Sequence, residues 1–183
     1  MIFKKSMGVL GSLCVMAALG GVATVAHAAD APAASAAATQ NLALLDGRLS
    51  FKLKGFEKRE VPGGGPGTMY YNKDQKRVMI VGEDPIPLIA QGGTDDDFLE
   101  GGKTIKDQQK ASSPEYKVVS EKTENVKGLK VHHIEATSKM GDNNVLQATL
   151  LAAGNKKFTV IQVISNPKDP AGHAAAVNNI LGK

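Results

Sequence analysis

The chain has 183 residues, a formal net charge of +4 and one cysteine, Cys14. This length fits a single domain of ordinary size with short flanking segments. The net positive charge is too small to indicate nucleic-acid binding. A single cysteine excludes an intrachain disulfide and a metal site with several thiolate ligands.

Residues 1–28 have the pattern of a secretory signal peptide. Lys4 and Lys5 precede a long apolar run, which ends in the A-x-A sequence that finishes at Ala28. This order predicts export and cleavage after Ala28. Cys14 lies inside the apolar run and follows Leu13, so it lacks the small preceding residue of a lipoprotein attachment site, and we expect no lipid anchor.

Cleavage would leave a protein without cysteine. The 22 basic residues would fall to 20 against 18 acidic ones, because Lys4 and Lys5 are removed, and the net charge would be +2. Residues 29–40 (ADAPAASAAATQ) contain no large apolar side chain and predict a flexible tether rich in Ala, Pro and Ser. Residues 41–183 are the single predicted domain.

Three strands are predicted before the first helix, at 49–53, 69–71 and 77–82. The first (LSFKL) alternates apolar and polar residues, which is typical of a strand with one buried face. A glycine-rich loop from Pro62 to Gly67 precedes the second strand. It lacks the following helix with Lys-Ser/Thr that a phosphate-binding loop requires, so we interpret it as a hairpin loop, with a ligand lid as the alternative.

One helix is predicted from Thr94 to about Ser112. Pro85 and Pro87 are expected to end sheet pairing before it. Thr94 can cap the helix, and the three aspartates at 95–97 face the positive end of the helix dipole. Three adjacent aspartates could also suggest calcium, but acidic residues are ordinary in the first turn of a helix.

Four strands follow, joined by short turns that predict an antiparallel meander. They cover 116–126, 129–139 and the two apolar runs within 145–165 that flank Gly154-Asn155, a dipeptide suited to a tight hairpin. The last run has apolar residues on both faces, which favours the middle of a sheet covered on both sides. A short final helix begins with Asp169 as cap.

The predicted element order is β-β-β-α-β-β-β-β-α. It indicates an α+β fold in which an antiparallel β-sheet is flanked by helices, as an α/β/α sandwich with one helix on each face. Both helices on one face is the alternative.

The histidines do not predict a reaction centre. His132 and His133 are neighbours on a strand, so they point to opposite faces and cannot chelate one metal together. His133 and Glu135 share a face and are interpreted as a solvent-side polar pair rather than a catalytic one. His173, in the first turn of the last helix, is expected to be exposed. We therefore predict no catalytic, cofactor-binding or metal-binding residue.

Several segments together resemble one known family. They are LLDGRLSF at 44–51, the glycine-rich hairpin, RVMIVGEDP at 77–85 and KDQQK at 106–110 before a Ser-Pro stretch, and the similarity runs from about Asn41 to Leu181. In this order and spacing they resemble the DcrB family of enterobacterial periplasmic proteins. The resemblance implies a PsbP-like α/β/α sandwich, a place in the cell envelope, an association with bacteriophage adsorption, and no established catalytic residues or cofactor.

Three functions follow as hypotheses. The first is a non-catalytic periplasmic protein that binds or supports an unidentified envelope partner; DcrB-type proteins usually carry a lipid anchor, which this chain is predicted to lack. The second is a small-ligand carrier with a pocket near the loop from Pro62 to Gly67, walled by Tyr70 and Tyr71. The third is an enzyme with a serine or threonine nucleophile, which the absence of G-x-S-x-G and H-E-x-x-H motifs disfavours. A homo-oligomer is left open.

Overall fold

The computed structural model describes residues 39–183. The predicted signal peptide, its cleavage site and nearly all of the predicted tether lie outside the described residues, and these stay predictions. The first strand begins at Gln40, the last residue assigned to the tether. The described chain contains these strands and α-helices: β1 (Gln40–Leu44), β2 (Leu49–Leu53), β3 (Glu57–Arg59), β4 (Thr68–Asn72), β5 (Arg77–Pro85), α1 (Asp95–Gly102), α2 (Ile105–Ser112), β6 (Lys117–Val126), β7 (Leu129–Met140), β8 (Asn143–Gly154), β9 (Lys157–Ser165) and α3 (Pro170–Ile180).

Seven of the described strands form one antiparallel sheet in the order β3-β4-β5-β9-β8-β7-β6, and β1 and β2 form a separate hairpin. The predicted meander is confirmed, since β6 to β9 pair in sequence order. Strand β9 lies between β5 and β8, with Val163 opposite Met79 and Ile161 opposite Leu150. The two-sided apolar pattern of this strand therefore marked its central position correctly.

Helices cover both faces of the sheet. On one face, Ile161 and Val163 are completely buried in a core shared with α3 and the β1–β2 hairpin. On the other face, Phe158 and Val160 pack with Leu99 of α1 and with α2. The predicted α/β/α sandwich is confirmed, and the alternative with both helices on one face is wrong.

The structure differs from the sequence prediction in its short elements. Strands β1 and β3 were not predicted, and the single helix from Thr94 to Ser112 is two helices that break after Gly102. A side chain at Gly102 would overlap Leu151, so this glycine permits α1 to approach β8 closely. Strand β5 continues to Pro85, opposite Lys157, because a proline at the end of a strand costs the ladder little.

Thr94 caps α1 as the sequence predicts. Its hydroxyl accepts a hydrogen bond from the Asp97 backbone at 3.2 Å, and the Asp97 carboxylate accepts one from the Thr94 backbone at 2.8 Å. This reciprocal arrangement is a capping box. Thr94→Ala is expected to lower the free energy of unfolding by about 1 kcal/mol in a urea titration. Thr104 precedes α2 without a side-chain cap, and Thr104→Ala should cost clearly less; equal losses would contradict the assignment.

Candidate functional site: a buried histidine cluster

A group of polar and ionisable side chains meets between α3 and the sheet. Strand β7 presents His133 and Glu135 on this face, since residues two apart share a side. Ser165 comes from the end of β9, and Arg77 from the start of β5. His173 comes from the first turn of α3, where the Asp169 side chain accepts the backbone N–H of Gly172 at 2.9 Å. We call His133, Glu135, His173, Ser165 and Arg77, with Glu124 of β6, the histidine cluster.

Glu135 is the centre of this cluster. One of its carboxylate oxygens lies 2.7 Å from His133 Nε2, and the other lies 3.0 Å from His173 Nε2. Both histidines are buried, while the Glu135 side chain is about one quarter exposed. Burial alone would raise the pKa of Glu135, but the hydrogen bonds from His133 and His173 prevail and lower it to about 2.

His133 bridges two carboxylates. Its second ring nitrogen, Nδ1, lies 3.1 Å from Glu124 Oε1. Burial disfavours a charged imidazole, but the hydrogen bonds to Glu135 and Glu124 outweigh it and raise the pKa of His133. The arrangement that satisfies both carboxylates is an imidazolium that donates from each ring nitrogen.

Glu124 binds two lysines besides His133. Lys122 Nζ lies 3.0 Å from Glu124 Oε1, and Lys183 contacts the other oxygen. Burial raises the pKa of Glu124, but the hydrogen bonds from Lys183, His133 and Lys122 together lower it to about 2. Through Glu124 the cluster connects β6 and β7 with the residues that follow α3.

Ser165, His173 and Glu135 are linked in the order of a hydrolase triad, but the serine hydroxyl is buried and a substrate cannot reach it. Ser165 Oγ lies 2.9 Å from His173 Nδ1, and it also accepts the Nε–H of Arg77 at 3.0 Å. Ser165 is only 2% exposed. Arg77 is itself held by Asp169 Oδ2 at 2.8 Å. A nucleophile must reach a substrate carbonyl, and this hydroxyl instead faces an arginine and a histidine inside the fold.

Two sequence expectations at this site are wrong. His173 was expected to be exposed, yet it is buried because the first turn of α3 docks on the sheet through Ser165 and Glu135. His133 and Glu135 do share a face, but this face is covered by α3, so they form a buried cluster instead of a solvent-side pair. Arg77 and Ser165 were read only as strand residues.

His132 lies on the opposite face, as its position next to His133 predicts. Its Nε2 is 3.1 Å from Glu121 Oε1, and its Nδ1 is 3.3 Å from Thr123 Oγ1. Burial lowers the pKa of His132. Among residues 39–183, no group of three or more histidine and acidic side chains is arranged to hold a metal ion.

The three aspartates at the start of α1 have separate partners. Asp96 lies 2.5 Å from Lys130 Nζ, Asp95 lies 4.0 Å from Arg48, and Asp97 belongs to the capping box. All three lie in the first turn of α1, where the helix-start interpretation places them.

The residues of the proposed ligand pocket have local roles. Pro62–Gly64 forms a 3-10 turn after the buried Val61. Tyr70 is buried in the core, and Arg59 lies 5.1 Å above the ring of Tyr71. The small-ligand carrier stays a prediction.

A second feature is a turn that exposes two large apolar side chains. Leu88 and Ile89 are 86% and 73% exposed, in the 3-10 turn Leu88–Ala90 that follows β5. Ile86 anchors the turn: it is buried, its backbone N–H donates to Lys156 O at 2.8 Å, and its carbonyl accepts from Gln91 Nε2 at 2.7 Å. We call Leu88 and Ile89, with the backbone that holds them, the apolar turn.

The segment that carries the apolar turn is acidic, and Lys156 and Lys157 of the β8–β9 turn lie beside its start. Residues 78–102 contain six aspartate and glutamate side chains and no lysine or arginine. Of the described helices, none is long and apolar enough to cross a lipid bilayer.

Comparison with solved structures identifies the fold. The solution structure of cyanobacterial PsbP (CyanoP) from Synechocystis sp. PCC 6803 matches with a TM-score of 0.57 and 15% identity, over 84% of this chain and 95% of that protein. The fold is PsbP-like. At this identity the likeness establishes the architecture alone.

Two further structures match less well. A protein of unknown function from Pseudomonas aeruginosa, PA94, has a TM-score of 0.45 at 11% identity, over 76% of this chain and 91% of its own. LpqN of Mycobacterium tuberculosis, a protein involved in cell envelope biogenesis, has a TM-score of 0.47 at 8% identity, over 82% of this chain and 85% of its own. No family model matches the chain, and no curated protein matches it significantly.

Proposed function

We propose that this chain is a non-catalytic periplasmic protein of the DcrB type, which binds another envelope protein through the apolar turn. The observation that carries the proposal is the exposure of Leu88 and Ile89 on a turn whose ends are fixed by hydrogen bonds. The predicted signal peptide supports export, and the resemblance to the DcrB family, with its PsbP-like fold, supports a place in the envelope.

The histidine cluster supports the non-catalytic part of the proposal. Ser165, His173 and Glu135 are hydrogen-bonded to one another and to Arg77 and His133, so their reactive atoms already have partners inside the protein. Binding of a partner would therefore use surface residues such as those of the apolar turn. The proposal extends to a DcrB-type role in bacteriophage adsorption, and the sequence predicts that this role does not depend on a lipid anchor.

The apolar turn indicates the chemistry of its partner. Burial of a leucine or isoleucine side chain stabilises a complex by about 1.5–3 kcal/mol relative to exposure. Charge does not define the rim of this site, because Glu83 already accepts from the Leu45 N–H and lies 3.9 Å from Lys157, which is opposite Pro85. The partner surface is therefore an apolar pocket.

Photo-cross-linking in intact cells tests this proposal. A photoreactive residue at Ile89 is expected to capture one envelope protein, identified by mass spectrometry, and Leu88→Asp should abolish the adduct without unfolding the domain. The control is a photoreactive residue at Lys73, an exposed position in the turn before β5, at the opposite end of the sheet.

The same capture from Lys73, or capture that is unchanged by Leu88→Asp, would overturn the assignment of the surface. Unchanged phage sensitivity in a strain that lacks the protein would overturn the adsorption role.

A further inference from the structure

The outer edge of β6 has no partner strand among the described residues. Strand β6 ends the seven-stranded sheet, spans ten residues and is exposed along most of its length. At the other edge, β3 has only three residues. A long edge strand presents backbone N–H and C=O groups that can pair with another chain.

A bulge limits the regular part of this edge. Pairing with β7 places Val118 opposite Ala136 and Ser120 opposite Glu135, so Val119 is an extra residue, and its side chain is 69% exposed. Bulges bend a strand and interrupt its ladder. The regular edge therefore covers residues 120–126, and Thr123 is its midpoint.

Of the four residues in the middle of this edge, 121 to 124, the charge pattern permits one as the centre for self-pairing. Centres at Ser120 or Asn125 bring no like charges together, but they would pair only one end of the regular edge. When two copies of a strand pair in antiparallel fashion about a two-fold axis perpendicular to the sheet, one residue faces itself on the axis. An axis at Glu121, Lys122 or Glu124 would place like charges directly opposite, which is destabilising. An axis at Thr123 places Thr123 opposite itself and Lys122 opposite Glu124 of the second copy, twice.

We propose that two copies of this chain associate by pairing their β6 edges about an axis at Thr123. The centre selected by charge and the midpoint set by the bulge are the same residue. Lys122 and Thr123 are exposed, so a second copy can reach them, and Thr123 Oγ1 lies 3.3 Å from His132 Nδ1 of its own chain. Lys122 lies 3.0 Å from Glu124 of its own chain and would exchange this contact for the matching one between copies. The inference is independent of the proposed function, because the apolar turn follows β5, and three strands (β9, β8 and β7) separate β5 from the β6 edge.

Disulfide cross-linking tests the register. In a Cys14→Ser background, Thr123→Cys is expected to form a disulfide-linked dimer under mild oxidation. Glu121→Cys is the matched control, because Glu121 is also exposed on β6. About an axis at Thr123, the cysteine at 121 of one copy would lie about 13 Å from the cysteine at 121 of the other, beyond the reach of a disulfide. Its yield should be at least about tenfold lower.

Sedimentation of the unmodified chain gives a second readout. It should show a dimer that weakens with salt, and Lys122→Glu should weaken it by about tenfold, because acidic side chains would then face each other at two places. A monomer at the highest attainable concentration would overturn the proposal. Cross-linking of Glu121→Cys as efficient as that of Thr123→Cys would overturn it as well.

Discussion

Replacement of Glu135 by glutamine is expected to lower the free energy of unfolding at neutral pH by about 2–4 kcal/mol. In the native cluster, both oxygens of Glu135 accept hydrogen bonds, from His133 at 2.7 Å and from His173 at 3.0 Å. A glutamine amide has one oxygen, so its NH₂ group would face the N–H of the second histidine. His133 would also lose one of the two negative charges that stabilise its protonated form.

Urea denaturation followed by far-ultraviolet circular dichroism measures this loss. Glu57→Gln is the matched control, because Glu57 also accepts from a basic side chain, Arg59 at 2.7 Å, but on an exposed surface. That pair contributes little, and the control should change stability by less than about 0.5 kcal/mol. A Glu135→Gln protein as stable as the control would show that the cluster contributes nothing to the fold.

The second expected result is a stability maximum in mildly acidic solution. Glu124 and Glu135 each have a pKa of about 2 in the folded protein, against an ordinary value of 4.5. Their contribution is fully present above pH 4.5 and is lost as the pH falls towards 2. The raised pKa of His133 acts in the opposite direction: its contribution is present below its ordinary value of 6.5 and is lost as the pH rises through the folded value.

The cluster should therefore stabilise the fold most between about pH 4.5 and 6.5. Lowering the pKa of one carboxylate from 4.5 to about 2 corresponds to about 3 kcal/mol of folding free energy. Because the carboxylates and His133 stabilise one another, their contributions describe the same ion pairs and are not additive. Unfolding free energies measured from pH 2 to 9 should form a dome for the wild-type chain and a flatter curve for Glu135→Gln. Parallel curves would contradict the assignment.

The sheet could be predicted from the sequence because its signals are local. Alternation of apolar and polar residues marks β2, and the two-sided apolar run of β9 marks a central strand, which the burial of Val160 on one face and of Ile161 on the other confirms. The capping pattern at Thr94 located the start of α1. Each of these signals lies within a few consecutive residues, so no knowledge of tertiary contacts is needed to interpret it.

The short elements were harder to predict. Every residue of β3 is exposed, so it carries no apolar alternation, and β3 exists because it pairs with β4. The break between α1 and α2 depends on Gly102 fitting against Leu151. From the sequence alone, Gly102 is only a residue that disfavours a helix, and nothing in it shows the contact with Leu151.

The histidine cluster could not be predicted because its members come from β5, β6, β7, β9 and α3. Only the docking of α3 brings His173 to Glu135. One signal was present in the sequence: Arg77 and Ser165 occupy positions whose neighbours two residues away, Met79 and Val163, are completely buried. A charged or polar residue that shares a strand face with buried apolar residues is itself buried, and it needs a polar partner on the element that covers that face.

Titration of the His133 ring by nuclear magnetic resonance tests most directly whether His133 is held as an imidazolium between Glu124 and Glu135. We expect its pKa to lie above 6.5, and both ring nitrogens to carry hydrogens at pH 6, because one faces Glu124 and the other faces Glu135. A His133 ring that titrates below 6.5, or that carries a single hydrogen at pH 6, would contradict the ion pairs that hold the histidine cluster together.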